Sequence, residues 1–115
     1  MPILVKSKYG ILKTLGTILR ELREEKGLLL REVGALLSLD PTVLSKIEQD
    51  KRSPTKEQAK ALGQFYKHQK NDIIIAWLSD KLFHEVQDED LALQAMQMAE
   101  EKIRYNIKDK KENKL

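Results

Sequence analysis

The chain has 115 residues and no cysteine, so disulfide bonds, thiolate zinc sites and cysteine nucleophiles are excluded. Apolar residues make up 41% and charged residues 34%, which suits one compact domain, with or without an appendage, and a heavily charged surface. No apolar run approaches the roughly 18 residues that cross a bilayer. At the start of the chain a short apolar patch precedes the first lysines, whereas in a signal peptide the basic residues come first. We therefore expect no membrane partner and a cytoplasmic location.

The net charge of +3 is unevenly distributed along the chain. Residues 1–69 carry 13 Lys and Arg against 8 Asp and Glu, whereas residues 70–107 carry 4 against 8, and the last eight residues carry 4 against 2. A basic first part joined to an acidic second part indicates a surface that faces a polyanion beside a segment with another role. Solvated helix faces that differ in charge by chance explain the pattern equally well.

Apolar residues recur at helical spacing along most of the chain. They predict six helices, at about 12–26, 30–37, 41–49, 54–67, 71–86 and 89–106. Asp40-Pro41 and Ser53-Pro54 each combine an N-cap residue with a proline at the first helical position, and Asn71-Asp72 is expected to cap the fifth helix. Acidic residues 88–90 are expected at the positive end of the sixth helix. The predicted fold class is all-α.

The most informative stretch joins the second and third predicted helices. A short helix, the break Ser38-Leu39-Asp40 and a second short helix that starts with proline form a helix-turn-helix pattern. Gly34 is expected where the two helices approach most closely. Packing of the apolar residues of both helices leaves one polar face of the third helix outside, formed by Thr42, Val43, Ser45, Lys46 and Gln49.

Three segments of the chain carry a resemblance to a known family. They are LGTILRELREEKGL (15–28), REVGALLSLDPTVLSKIEQDKRSPT (31–55) and AKALGQFY (59–66), and the SKIE step followed by a basic KRSP turn is the most specific part. The chain resembles the phage-repressor, Cro-like (Xre-type) helix-turn-helix regulators over about half its length. The resemblance implies a five-helix, lambda-repressor-like fold, here with an extra C-terminal helix, whose third helix enters the DNA major groove, usually in a dimer.

The resemblance also implies roles for individual residues. Base contacts are expected from Pro41, Thr42, Val43, Ser45 and Lys46, because these side chains can donate to or accept from base edges, or touch a thymine methyl group. Phosphate contacts are expected from Arg31, Gln49, Lys51 and Arg52. A structural ion pair is expected between Arg23 and Glu48. As an exposed salt bridge it would contribute only about 0–1 kcal/mol.

Four positions depart from the pattern of the family. Leu30 stands where the family usually has a phosphate-binding glutamine, and Gly34 where it usually has alanine. Ser38 and Asp50 stand where it usually has glycine, so each is expected to need some backbone strain or a slightly different turn. Asp50 also brings a negative charge close to the expected path of the DNA backbone.

The predicted organisation has four parts. Residues 1–10 form an N-terminal arm or short strand, residues 11–70 the helix-turn-helix domain, residues 71–107 two helices for dimerisation or partner binding, and residues 108–115 a disordered tail. An acidic surface does not suit DNA, so residues 71–107 are expected to serve self-association or a partner protein. Because a second half-site adds contact area on DNA, we expect a homodimer on an inverted-repeat operator. The expected interface residues are Trp77, Leu91, Ala95, Met98 and Ile103. Simple core packing explains the apolar face of the sixth helix equally well, and Trp77 suits the core of the chain better than a partner surface.

No catalytic or metal-binding pattern is visible in the sequence. His68 and His84 are sixteen residues apart without a cysteine, and there is neither a glycine-rich phosphate loop nor a nucleophile–base pair. We therefore expect no enzyme, no metal and no cofactor. The predicted function is an autoregulating repressor, or a controller akin to those of restriction–modification systems, in a bacterial or phage setting. The alternative is an antitoxin or adaptor whose main partner is another protein.

Overall fold

The computed structural model describes residues 6–7, 10–11, 13–67 and 70–112. Two-residue strands Lys6–Ser7 (β1) and Gly10–Ile11 (β2) pair antiparallel, with Lys6 opposite Ile11. The helices are Leu15–Glu25 (α1), Leu30–Leu37 (α2), Pro41–Glu48 (α3), Lys56–Tyr66 (α4), Lys70–Val86 (α5) and Ala92–Glu112 (α6). The fold is all-α with an extra C-terminal helix, as predicted. The predicted arm falls partly on residues 1–5, 8 and 9, which lie outside the described residues, as does His68.

Side chains at the helix starts explain where the chain turns helical. Asp40 accepts a hydrogen bond from the Thr42 amide at 2.7 Å, with Pro41 at the first position of α3, as the sequence indicated. The start of α4 differs from the prediction, which placed the N-cap at Ser53. Thr55 caps it instead: its hydroxyl accepts from the Gln58 amide at 3.1 Å, and the Gln58 side chain accepts from the Thr55 amide at 3.0 Å.

The chain divides into two compact units, the first ending at Lys81 and the second beginning at Leu82. The core of the first unit contains fully buried residues from five helices, namely Leu19, Val33, Leu44, Ile47, Leu62 and Ile73. Full burial of one such side chain stabilises the fold by about 1.5–3 kcal/mol. Ile73 and Trp77 on α5 belong to this core, so the first unit extends beyond residue 70, where the sequence placed the end of the helix-turn-helix domain.

The second unit contains the end of α5 and all of α6. Helix α6 starts at Ala92, after a turn that holds the acidic residues 88–90, and continues to Glu112, whereas the sequence analysis expected disorder from residue 108. The segment 108–112 has no glycine or proline, and Lys110 and Lys111 lie in the last turn, where cations favour the negative end of a helix. No helix in the described ranges is both long enough and apolar enough to span a bilayer.

Candidate nucleic-acid interface

A tight left-handed turn connects α2 to α3. Ser38 has a φ of 55°, and the amides of Ser38 and Leu39 both donate to the carbonyl of Gly34, the latter at 2.8 Å. A Cβ atom on Gly34 would lie 2.5 Å from the Leu39 carbonyl oxygen. The glycine is therefore required by the close return of the chain, and Ser38 adopts the backbone conformation that glycine usually supplies.

The outer face of α3 is open on the side where the sequence predicted base contacts. Pro41, Thr42 and Lys46 are exposed, and Val43 and Ser45 are half-buried. The exposed Gln49 donates from Nε2 to Ser45 Oγ at 2.9 Å, which orients both polar groups along this face. The face therefore offers hydroxyl, ammonium and methyl groups on one short helix.

Basic side chains flank this face. Arg31 at the start of α2, and Lys51 and Arg52 in the turn after α3, are all exposed. The turn itself begins with Asp50, which has a left-handed backbone with a φ of 61°. Exposed cations of this kind suit phosphate oxygens, which bind Arg and Lys regardless of base sequence.

Asp50 directs its carboxylate to the start of α1. Oδ1 accepts from the Gly16 amide at 3.1 Å and Oδ2 accepts from the Thr14 hydroxyl at 2.6 Å. The amides at a helix N-terminus carry partial positive charge, so they offset the negative charge of this carboxylate. Sequence analysis recognised Asp50 as a departure from glycine but missed this role, for which an acidic side chain at a glycine position was the available signal.

Arg23 and Glu48 join α1 to α3 through a buried ion pair. Arg23 Nε lies 2.9 Å from Oε2 and 3.2 Å from Oε1 of Glu48, Nη2 lies 3.0 Å from Oε1, and Nη1 donates to the Leu28 carbonyl at 2.8 Å. The hydrogen bond with Glu48 is the main cause that raises the pKa of Arg23. Only 14% of the Arg23 side chain and 4% of the Glu48 side chain are exposed, so the pair is more buried than the sequence analysis assumed.

Tyr66 lies in the core near this pair. Its hydroxyl oxygen is buried and has no hydrogen-bond partner among the described residues. Burial, and next the negative charge of Glu48, raise the pKa of Tyr66 to about 12, against the opposing effect of Arg23. The phenol therefore stays neutral throughout the physiological pH range.

Side chains of helix α5 form hydrogen bonds with the start of α1 and with the segment between α3 and α4. Asp80 Oδ2 accepts from the amide of Leu15 at 2.9 Å, and Trp77 Nε1 donates to the carbonyl of Pro54 at 2.8 Å. Only 7% of the Trp77 surface is exposed, so this residue lies in the core of its own chain. The sequence analysis had also placed it at the dimer interface, and the burial of the side chain argues against that placement. Its indole N–H thus has a hydrogen-bond partner within the fold, at Pro54 in the segment between α3 and α4.

The other four residues expected at an interface lie in the second unit. Leu91, Met98 and Ile103 are 59–68% exposed, and Ala95 is exposed as well. Within the described ranges, no group of three or more His, Cys, Asp or Glu residues is arranged to hold a metal ion.

Comparison with protein families identifies a helix-turn-helix domain in the chain. A family model described as a helix-turn-helix domain matches residues 14–72, which is just over half of the chain. The match begins at the N-cap of α1 and ends in the first turn of α5, so it includes the α2–α3 turn and the basic turn that follows α3. No curated protein and no solved structure matches the chain.

Proposed function

The chain belongs to the helix-turn-helix domain family, and we propose that it is a sequence-specific transcription regulator that recognises double-stranded DNA through α3. The family match supports DNA as the partner. The observation that carries the proposal further is the open face of α3, where the exposed Thr42 and Lys46 are followed directly by the exposed cations Lys51 and Arg52.

The proposed contacts divide into those that distinguish bases and those that position the protein. Lys46 donates to guanine O6 and N7, Thr42 and Ser45 bond base edges, and Val43 and Pro41 supply apolar contact with a thymine methyl group. The second set contacts phosphates and is insensitive to sequence; it consists of Arg31, Gln49, Lys51 and Arg52.

We further propose that the protein acts as a homodimer on an inverted-repeat operator. One domain of this kind buries roughly 600–1,000 Å² on DNA, and a second half-site about one helical turn away supplies additional affinity. Helix α6 is the proposed interface, because Met98 and Ile103 expose most of their apolar surface in the single chain. Such exposed residues on one helix are typical of a surface that is covered in an assembly.

The charge distribution along the second unit favours a second copy as the occupant of this surface. Residues 88–101 contain five acidic and no basic residues, whereas residues 102–111 contain five basic residues and one acidic residue. In an antiparallel pair of α6 helices, the acidic residues 88–90, which precede each helix, lie towards the basic C-terminal half of the other helix. A two-fold axis generates this complementarity from a single sequence, as a closed dimer requires.

The proposed biological role is that of an autoregulating repressor or controller protein that acts on cytoplasmic DNA.

Selection of bound duplexes from a random pool, followed by titration of affinity against salt, tests the function. Wild-type protein should enrich one two-fold-symmetric sequence. Lys46→Ala should lose about 1–3 kcal/mol of discrimination at one base position, whereas Arg52→Ala should weaken all duplexes alike and reduce the salt slope by about 1. Lys102→Ala removes an exposed lysine of the other compact unit and serves as the control.

Failure of the selection to enrich any sequence, with no salt-dependent binding to random duplex, would contradict the DNA-binding function. The dimer is tested separately by light scattering at tens of micromolar. Ile103→Glu should yield a monomer, while Gln97→Glu, which adds the same charge at an exposed polar position of α6, should leave the dimer intact. A wild-type monomer with and without the selected DNA would reject the dimer and favour a different protein partner.

A further inference from the structure

The turn after α3 is held at both ends by hydrogen bonds from other helices. We call residues 50–54 the basic turn. At its first residue, Asp50 accepts from the Gly16 amide at 3.1 Å and from the Thr14 hydroxyl at 2.6 Å. At its last residue, the Pro54 carbonyl accepts from Trp77 Nε1 at 2.8 Å. Two separate elements, the start of α1 and the middle of α5, thus fix the two ends.

The two cations of the basic turn lie between these anchors. Lys51 and Arg52 are exposed, and no hydrogen bond or ion pair involves their side chains within the described part of the chain. Their backbone is restrained where the Lys51 amide donates to the Lys46 carbonyl at 2.9 Å. The side chains are therefore free to bind a ligand while the segment that carries them is held in place.

The conformation of Asp50 indicates that its side chain has a role beyond filling the position. Asp50 has a φ of 61°, a left-handed conformation that aspartate tolerates better than most residues but that glycine adopts at lower cost. A carboxylate at this position would also repel the phosphate groups that Lys51 and Arg52 are proposed to bind. Both bonds of this carboxylate go to the first turn of α1, which restrains the turn in a way that glycine cannot.

Trp77 supplies the second restraint from outside the helix-turn-helix pair. Its ring is buried in the core, and the Lys81 ammonium lies 4.3 Å from the ring centroid. Phenylalanine at this position keeps a buried aromatic ring but lacks the indole N–H group. The N–H group is the part of this side chain that acts on the basic turn.

We propose that Asp50 and Trp77 are positioning residues for DNA binding: they hold the basic turn so that Lys51 and Arg52 contact phosphates of the DNA backbone together. This inference rests on the proposed DNA-binding function. A preformed segment loses less conformational entropy when it binds, so restraint by groups that do not touch the ligand increases affinity.

A pair of substitutions at Asp50 separates positioning from charge. Asp50→Asn and Asp50→Gly remove the same negative charge, but asparagine retains an oxygen that accepts from the Gly16 amide, whereas glycine retains only the backbone conformation. We expect the glycine variant to bind random duplex DNA roughly tenfold more weakly than the asparagine variant, with a salt slope smaller by about 0.9, the value for one lost phosphate contact. Asparagine should thus rescue the positioning.

Trp77→Phe tests the other anchor. It retains the buried ring and deletes the donor to Pro54, so we expect weaker binding and the same reduction in salt slope. Tyr66→Phe is the matched control, because it also removes a buried polar hydrogen from an aromatic residue of this core. That hydroxyl has no hydrogen-bond partner among the described residues, so the salt slope should stay at the wild-type value. Circular dichroism at the binding temperature verifies that each variant is folded.

The salt slope distinguishes the outcomes. Equal slopes for both Asp50 variants, with a wild-type slope for Trp77→Phe and a reduced slope for Arg52→Ala, would overturn the positioning role and leave the DNA-binding function intact. Equal gains in affinity for both Asp50 variants would also overturn it, since Asp50 would then act only by repelling phosphate. Absence of any salt-dependent binding by the wild type would instead reject the proposed function itself.

Discussion

Removal of Arg23 should destabilise the protein far more than removal of a surface arginine. Arg23→Ala deletes three contacts with Glu48 and one with the Leu28 carbonyl, and it leaves a carboxylate that is 4% exposed without its counter-ion. An unpaired buried charge of this kind typically costs about 3–5 kcal/mol. A domain of this size has a total stability of about 5–15 kcal/mol, so the substitution should remove a large fraction of it.

Arg20 provides the matched control on the same helix. It pairs with Glu24 at 3.0 Å, but the two side chains are 63% and 54% exposed, so Arg20→Ala should cost no more than about 0.5 kcal/mol. The double variant Arg23→Met with Glu48→Leu removes both buried charges and should recover most of the stability. Urea unfolding followed by circular dichroism measures each free energy, provided that the m-values agree. Equal costs for Arg23→Ala and Arg20→Ala would refute the interpretation of the pair as buried and structural.

Three further predictions concern the core of the first unit. The pKa of Tyr66 is raised to about 12, so the free energy of unfolding should keep its full value below pH 10 and fall by on the order of 2 kcal/mol between pH 10 and 12. Urea unfolding measures this pH dependence, and Tyr66→Phe should remove it. Gly16→Ala should cost about 1–3 kcal/mol in thermal unfolding despite the helix propensity of alanine, because the new Cβ would lie 2.6 Å from the Ile47 carbonyl oxygen; unchanged stability would show that the helices separate easily. Ile73→Ala should cost about 2–5 kcal/mol in urea, and a loss below 1 kcal/mol would mean that α5 is not part of this core.

Local signals in the sequence were sufficient for the central part of the fold. Helices α2 and α3 begin where predicted, and their ends differ from the prediction by no more than about one residue, because Asp40 and Pro41 fix the start of α3 and apolar spacing defines the buried faces. The predicted start of α4 was two residues too early because Ser53-Pro54 resembles the N-terminal signal of a helix. The competing pair Thr55 and Gln58 forms two reciprocal hydrogen bonds there, which a single cap cannot match.

Long-range contacts were the part that the sequence could not supply. The bonds from Trp77 to Pro54 and from Asp80 to Leu15 join residues 23 and 65 positions apart, and no local pattern encodes them. For the same reason the sequence left Trp77 between a dimer interface and the core. The exposure of the α3 face could be expected from helical spacing, whereas the restraint of the basic turn depends on where distant helices meet.

Gly34 limits how far this chain can be altered towards the usual sequence of proteins that it resembles. Consensus substitutions often stabilise a protein, and the sequence resemblance to Cro-like regulators favours alanine at this position. Here an added methyl group would lie 2.5 Å from the Leu39 carbonyl oxygen, so the substitution would force the turn open and shift the start of α3. Any replacement of α3 by another helix should therefore keep Gly34 and the α2–α3 turn together with it, because the turn and the start of α3 depend on this glycine.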